Sequence, residues 1–440
     1  MFYSECAPAF HFRLLRVLLI VLACISSANA QETSTEPKEA TEATGEAADR
    51  IVDGRPPLYT FKRAINPLTW LEWGAKPIFS SAETGFAKRL MERRPTGPDN
   101  KTAGVRFGLD GIGAGSGFGP SVTFFHKDLF GRGVEVEVPL VYTYNRYELY
   151  QANVAVPVLK QHFVDRLSLD VVTEYRSRAR DDLFLTGNDS PLGVESQVRT
   201  VTRGVALGFS AQISNTWRSG LHETYRNVGV TEPLRGDSAQ ERFAAFGIPG
   251  LATGAVLRGT ALTIDHDTKD QPRMAAKGGV EHLEVSLNES IRRGDFAYWK
   301  YHFDFQHFFP LTTDHRTVLA FRGLAETNQT KGGSQIPWFD MPVLGSWDTL
   351  RGFENFRFRD KSAVAFSAEY RYRIWRQMDW GFFVDQGQVA PQLGDFGWHQ
   401  FHTGYGFRVF FLPRLTFPVA IDVAHSNEKW RMYVNFNADF

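Results

Sequence analysis

Two short runs in the sequence carry residue types that hydrolases use. Asp265-His266-Asp267 sets an imidazole between two carboxylates, a pairing with which a protease can activate water. His425-Ser426-Asn427 sets a hydroxyl beside a base, as a phospholipase requires. General acid–base catalysis needs a second, convergent group and a cleft. Nucleophile, base and orienting group are assembled in space rather than from chain neighbours. Both runs sit among turn-forming residues and read as turns. The run GLDGIGAGSGFG, Gly108 to Gly119, suggests a phosphate cradle but lacks G-x-G-x-x-G. It follows a segment of period two with no helix behind it, so it reads as a flexible hairpin. Because strand glycines weaken pairing, a weak seam beside the first strand is the functional alternative. No His, Cys and acid spacing resembles a metal site. The expectation is a protein with no catalytic residues, no metal and no cofactor. One triplet remains unexplained: Arg351-Gly352-Phe353, in a Gly-, Asp- and Arg-rich loop just before a strictly alternating segment.

The elements that must position that triplet come from the rest of the chain. It has 440 residues, with 49 basic and 49 acidic side chains and a formal net charge of zero. A neutral chain lacks the basic face that nucleic-acid binding needs. Mean hydropathy is −0.28, a value shared by soluble proteins and by membrane barrels whose strands alternate apolar and polar residues. Residues 1–30 read as a cleaved secretory signal peptide: Arg13 and Arg16, an apolar run from Val17 to Ile25, then Ala28-Asn29-Ala30. A lipoprotein signal with Cys24 as the modified residue is the rival reading. That apolar run is shorter than the ~20 residues a spanning helix needs. Both cysteines, Cys6 and Cys24, fall in this segment, so disulfides are not expected to stabilise the mature chain. Residues 31–56 are rich in Glu, Thr, Ala and Ser, and read as a disordered acidic tether. Residues 57–101 read as a periplasmic N-terminal segment with a possible short helix at FAKRLMERR.

From about Thr102 the hydrophobic period becomes two and stays so to the last residue. Val134, Val136, Val138, Leu140, Tyr142 and Tyr144 share one face. Trp299, Tyr301, Phe303, Phe305 and Phe309 stand opposite Lys300, His302, Asp304 and Gln306. Val364, Phe366, Ala368, Tyr370, Tyr372 and Ile374 stand opposite Ser367, Glu369, Arg371 and Arg373. About sixteen such segments fit between 102–111 and 429–440, an even number as single-chain bacterial barrels require. A soluble sandwich shares period two. Its polar faces need not carry full charges in mid-strand, however, as Glu135, Glu137, Asp170, Glu174, Arg176, Glu369, Arg371, Arg373 and Asp422 do here. These suit a wet lumen, and only a closed sheet satisfies its backbone in hydrocarbon. The fold expected for residues 102–440 is therefore all-β: a transmembrane antiparallel β-barrel in the outer membrane of a Gram-negative cell. The last strand places Met432, Val434, Phe436, Ala438 and the terminal Phe440 on one face. It looks like the C-terminal signal by which the barrel assembly machinery recognises such strands during biogenesis.

The order LRGF, then AEYRYRI, then FVDQG, then a strand ending in Phe440 resembles the bacterial surface antigen family of sixteen-stranded outer-membrane barrels. That family includes the outer-membrane assembly factor and the two-partner secretion transporters. FLTGNDS (Phe184 to Ser190) and DHDTKDQPRMAAKGG (Asp265 to Gly279) resemble two of its further motifs. The resemblance implies that a long loop between strands eleven and twelve folds back into the lumen. It implies that Arg351, Gly352 and Phe353 at the loop tip lock onto acidic residues of the wall, here Glu369 and Asp385. It also implies assistance to the insertion or translocation of polypeptide, or of lipid, across or into the outer-membrane bilayer. Family members usually carry periplasmic polypeptide-binding domains ahead of the barrel. Residues 31–101 show no such pattern, so the chain reads as a barrel-only member. A passive or gated channel for small solutes is the alternative function, and a barrel hydrolase a distant third.

Overall fold

The computed structural model describes residues 102–436, apart from 162–163, 273, 376–377 and 412–418. The expectations for residues 1–30, 31–56 and 57–101, and for Ala438 and Phe440, lie outside the described residues. Alternation along the chain becomes strands as expected. β1 (Ala103–Asp110), β2 (Gly119–Leu129), β3 (Val134–Tyr142), β4 (Glu148–Gln161) and β5 (Val164–Leu183) come first. β6 (Ser196–Gln212), β7 (Trp217–Thr231), β8 (Ala255–Asp267), β9 (Gly278–Arg292), β10 (Ala297–Pro310) and β11 (Thr317–Thr330) follow. A long loop then holds two short strands, β12 (Val343–Leu344) and β13 (Phe358–Arg359). β14 (Ser362–Trp375), β15 (Met378–Ala390), β16 (His402–Phe411), β17 (Val419–His425) and β18 (Trp430–Phe436) complete the order.

Sixteen of these strands form one antiparallel sheet in chain order, from β1 to β11 and on from β14 to β18. Among the described residues no register joins β1 to β18. β12 and β13 pair with each other, and Arg359 of β13 also bridges to Gly187. Registered residues share a face, so the inward set can be read across the sheet: Arg371 faces Gly381, Gly381 faces Arg408, Arg408 faces Asp422 and Asp422 faces Tyr433. The outward set is apolar and exposed, as at Phe209, Leu221, Phe303, Phe366 and Phe382. That is the reverse of a soluble protein and fits a wall facing lipid.

The two ends of the barrel differ. One end carries the longest connections: residues 184–195, 232–254, 331–361 and 391–401. Those at the other include the tight turns 130–133 and 213–216. Outer-membrane barrels keep short turns on the periplasmic side and long loops outside, so the first set is extracellular. The 232–254 loop carries a short helix, α1 (Ala239–Arg242), that the alternation gave no hint of; the Ser238 side chain caps it by accepting from the Glu241 N–H. Its Phe243 packs with Leu183, Val198, Val230, Leu251 and Trp338.

Candidate functional site: a loop locked into the lumen

The 331–361 loop turns inward rather than out to solvent, and its residues are among the most buried in the protein. Leu344, Leu350, Phe353 and Phe358 pack on Ala363 and Ala365 of β14 and Val389 of β15. The small alanines leave room for the loop against the wall. Two anchors hold the loop before its tip. Asp340 accepts a two-pronged pair of bonds from Arg226 on β7, each 2.9 Å, and a bond from the Tyr298 hydroxyl on β10. Burial alone would push the Asp340 carboxyl up, but Arg226 and Tyr298 hold it below the usual carboxylate range. The Asn328 side chain on β11 donates to the Asp340 carbonyl at 2.7 Å.

The tip itself is Arg351-Gly352-Phe353. Arg351 donates from Nε to Asp385 Oδ2 at 2.6 Å and from one terminal nitrogen to Oδ1 at 2.7 Å, while its backbone N–H reaches Oδ2 at 3.1 Å. The other terminal nitrogen reaches Glu369 Oε2 at 3.1 Å, and the guanidinium lies 3.4 Å over the Phe383 ring centroid. Ser367 closes the set, accepting from Arg351 at 3.0 Å and donating to Asp385 at 2.6 Å. A planar fork with five donors meets such a set of acceptors in a way a lysine cannot. Gly352 has φ of +96°, which a side chain would strain. Phe353 is fully buried and packs edge-on against Phe358 and His402.

The charged set continues past the tip. Glu369 also takes Nε of Arg371 at 2.6 Å and lies 3.4 Å from Arg408. Arg408 in turn holds Asp422 by two bonds, 2.5 and 2.6 Å. Glu369, Arg408 and Asp422 are 0% exposed. The expectation of a wet lumen is therefore corrected on this wall: the loop covers these charges, and paired charges replace water. A buried charge is tolerable only when paired and hydrogen-bonded, and here a chain of pairs runs from the loop tip to β17.

Four features of this site are not signalled by the sequence reading. Ser426, read there only as a turn residue, donates to the Gly352 carbonyl at 2.7 Å. Tyr433 on β18 accepts from the Gly352 N–H and donates to the Phe353 carbonyl, both at 3.1 Å. Glu354 pairs with Lys429 and Arg431, and Arg357 pairs with Glu428 at 2.8 Å. The tip is thus bonded to the β17–β18 hairpin as well as to β14 and β15. The fourth is Gly404 on β16, opposite Asp385: a Cβ there would stand 1.8 Å from the Arg351 carbonyl oxygen. A glycine inside a strand is a visible signal of close backbone approach.

The remaining motifs find structural places. Asn188 and Ser190 of the FLTGNDS segment accept from the β15 backbone and from Arg357, at 3.1 and 2.6 Å. In the 268–277 connection, Met274 packs on Phe410 and Ala420 with Trp347 of the long loop beside them. A periplasmic hairpin and an extracellular loop therefore meet inside the barrel. Asp265 bonds His282 at 2.6 Å, whereas His266 turns to the other face and bonds Glu281 at 2.8 Å. The two do not form a dyad. His425 bonds the Tyr405 hydroxyl at 3.1 Å, while Ser426 is taken up by the loop. Among the described residues no group of three His, Cys, Asp or Glu side chains could hold a metal ion. Val434 lies exposed on the outward face of β18, and Phe436 pairs in register with Val419.

A sixteen-stranded sheet with lipid-facing aromatics and a lumen-locked loop defines an outer-membrane β-barrel. Residues 128–436 match the Omp85 superfamily domain, and the chain belongs to that superfamily. Among solved structures it is similar in fold to BamA from Haemophilus ducreyi lacking POTRA domains 1–3. Identity is 15%, over 77% of this chain and 70% of that one, with a TM-score of 0.56. CdiB from Escherichia coli is 12% identical over 77% of this chain and 63% of its own, with a TM-score of 0.49. CdiB from Acinetobacter baumannii is 10% identical over 76% and 60%, with a TM-score of 0.48. The chain spans less than two thirds of the length of the two CdiB structures.

Proposed function

We propose that this barrel assists the insertion or translocation of polypeptide at the outer membrane, with Arg351-Gly352-Phe353 as the latch that holds its resting state. One observation carries the reading: the long loop folds in against the wall of β14 and β15, and its tip is bonded to the last hairpin through Ser426 and Tyr433. A pore for small solutes works through an open lumen. Here Trp347 and Met274 pack into the lumen against Phe410 and Ala420, and the ionic wall of β14 to β17 is dry. A loop that ties β14 and β15 to β18 instead sets how firmly the edge strand is held, and edge strands are where another chain can pair. Lipid is the second candidate cargo, served by the same edge.

Phe440 and the alternating residues before it, Ala438, Phe436 and Val434, fit the role of insertion signal for the assembly machinery. Purified protein in planar bilayers tests the central reading. Small, flickering conductance that becomes large and steady in Arg351→Ala supports a latched, plugged barrel. Large, steady conductance in the native protein would establish the solute channel instead.

A further inference from the structure

Most of the outer wall is uncharged. The outward residues of β14, β15 and β16, such as Phe366, Phe382 and Phe407, include no carboxylate, lysine or arginine. The wall from β6 to β9 differs near its extracellular end. Going up the outward face of β6, Phe209, Leu207 and Val205 give way to Arg203 and then Arg199. Arg203 is registered with Asn227 of β7, and Arg293, in the turn after β9, donates to the same Asn227 side chain. Asn227 therefore stands in register beside Arg203 and accepts from Arg293. Arg199 stands further up the same face and donates to Ser177 at 3.4 Å. Arg203 lies 5.9 Å from the Tyr175 ring centroid.

None of Arg199, Arg203 and Arg293 has a carboxylate partner among the described residues. Neighbouring cations on this face do have partners: Arg258 pairs with Glu223, and Lys331 with Glu289 at 2.9 Å. The contrast lies within one patch, so general surface charge does not account for it. Arginine on a lipid-facing wall is unfavourable in hydrocarbon and nearly neutral at the interface. The three arginines therefore mark the headgroup level of the outer leaflet, with Val205 and Phe209 exposed below them at acyl-chain depth. A guanidinium fork matches two oxygens of a phosphate.

We propose that the outward face of β6–β9 at the extracellular end binds the phosphorylated headgroup of an outer-leaflet glycolipid, with Arg199, Arg203 and Arg293 holding the phosphate oxygens. This site faces lipid and is independent of the lumen latch. It is tested with the full chain in detergent, titrated with lipid A and with the same lipid stripped of its phosphates. Native mass spectrometry counts the bound lipid. Native protein is expected to bind the dephosphorylated lipid at least about tenfold more weakly, since each basic side chain near an anionic lipid surface contributes a comparable share. The triple variant Arg199→Gln, Arg203→Gln, Arg293→Gln is expected to lose the same factor for lipid A alone. Equal binding of the two lipids by the native protein overturns the proposal whether or not the variant folds. Unchanged lipid A affinity in a folded triple variant overturns it as well.

Discussion

The barrel has two inner walls made of the same residue types, and they differ in water. On β1 to β5, Arg106 pairs with Glu137 with their side chains 51% and 46% exposed, and Arg166 pairs with Glu135 at 35% and 48%. On β14 to β17, Glu369, Arg408 and Asp422 are wholly buried. The difference comes from the 331–361 loop, which covers one wall and leaves the other wet. An exposed pair is screened and contributes little, with a median of about 0–1 kcal/mol. A buried set is costly to assemble and costlier to break, because removing one member strands the others in a dry site. The wet wall is therefore tolerant of change, and the dry wall holds the loop in one place.

The largest expected effect falls on Arg408. Changing it to Ala leaves Asp422 and one side of Glu369 without their cation, at a cost of about 3–5 kcal/mol. Urea unfolding of the barrel followed by tryptophan fluorescence reads it. A loss below about 1 kcal/mol would mean that this wall is wetter than described. Gly404→Ala comes next. The added methyl meets the Arg351 carbonyl, and overpacking of this kind costs on the order of 1–3 kcal/mol. Serine at 404 should do no better, and wild-type stability of Gly404→Ala would show that the loop does not approach β16. Tyr433→Phe strips the hydroxyl from the Gly352 N–H and the Phe353 carbonyl, for about 1–3 kcal/mol. If the loop tip truly holds β18, this variant also protects the final hairpin less in hydrogen exchange. The smallest effect belongs to the wet wall: Arg106→Ala should change stability by less than about 1 kcal/mol, and a larger loss would erase the contrast between the walls.

Phe440→Asp separates recognition from solvation. A carboxylate near the interface costs only about 0–1 kcal/mol. A marked fall in assembled protein with unchanged synthesis would therefore speak for an insertion signal, and normal assembly against it.

Much of the architecture was legible because barrel strands expose their pattern twice, once as aromatics facing lipid and once as charges facing in. The sixteen strands and the loop between the eleventh and twelfth of them followed from that alternation. Arg351, Glu369 and Asp385 were reachable only through a resemblance, since nothing in a loop arginine says where it folds back. What stayed hidden was burial. Asp422 read as a solvated charge, and so did Glu369 until the resemblance set the loop tip against it, because alternation gives the face of a residue but not what covers that face. Arg408 and Tyr433 were equally silent, each an ordinary polar position in a strand. Gly404 was readable in principle as a gap in a strand of large residues, and Ser426 was not, because turn serines are common and its partner is a backbone carbonyl far along the chain.

The central claim is that the loop tip is fixed by one dry, paired contact with the wall. A double-mutant cycle on Arg351 and Asp385 measures that contact directly. Arg351→Ala and Asp385→Ala should each cost on the order of 3–5 kcal/mol, and the double variant should be no worse than either alone, so that the coupling is nearly as large as the single effects. Single effects that simply add would mean that the two side chains do not act on each other, and the latch would be contradicted.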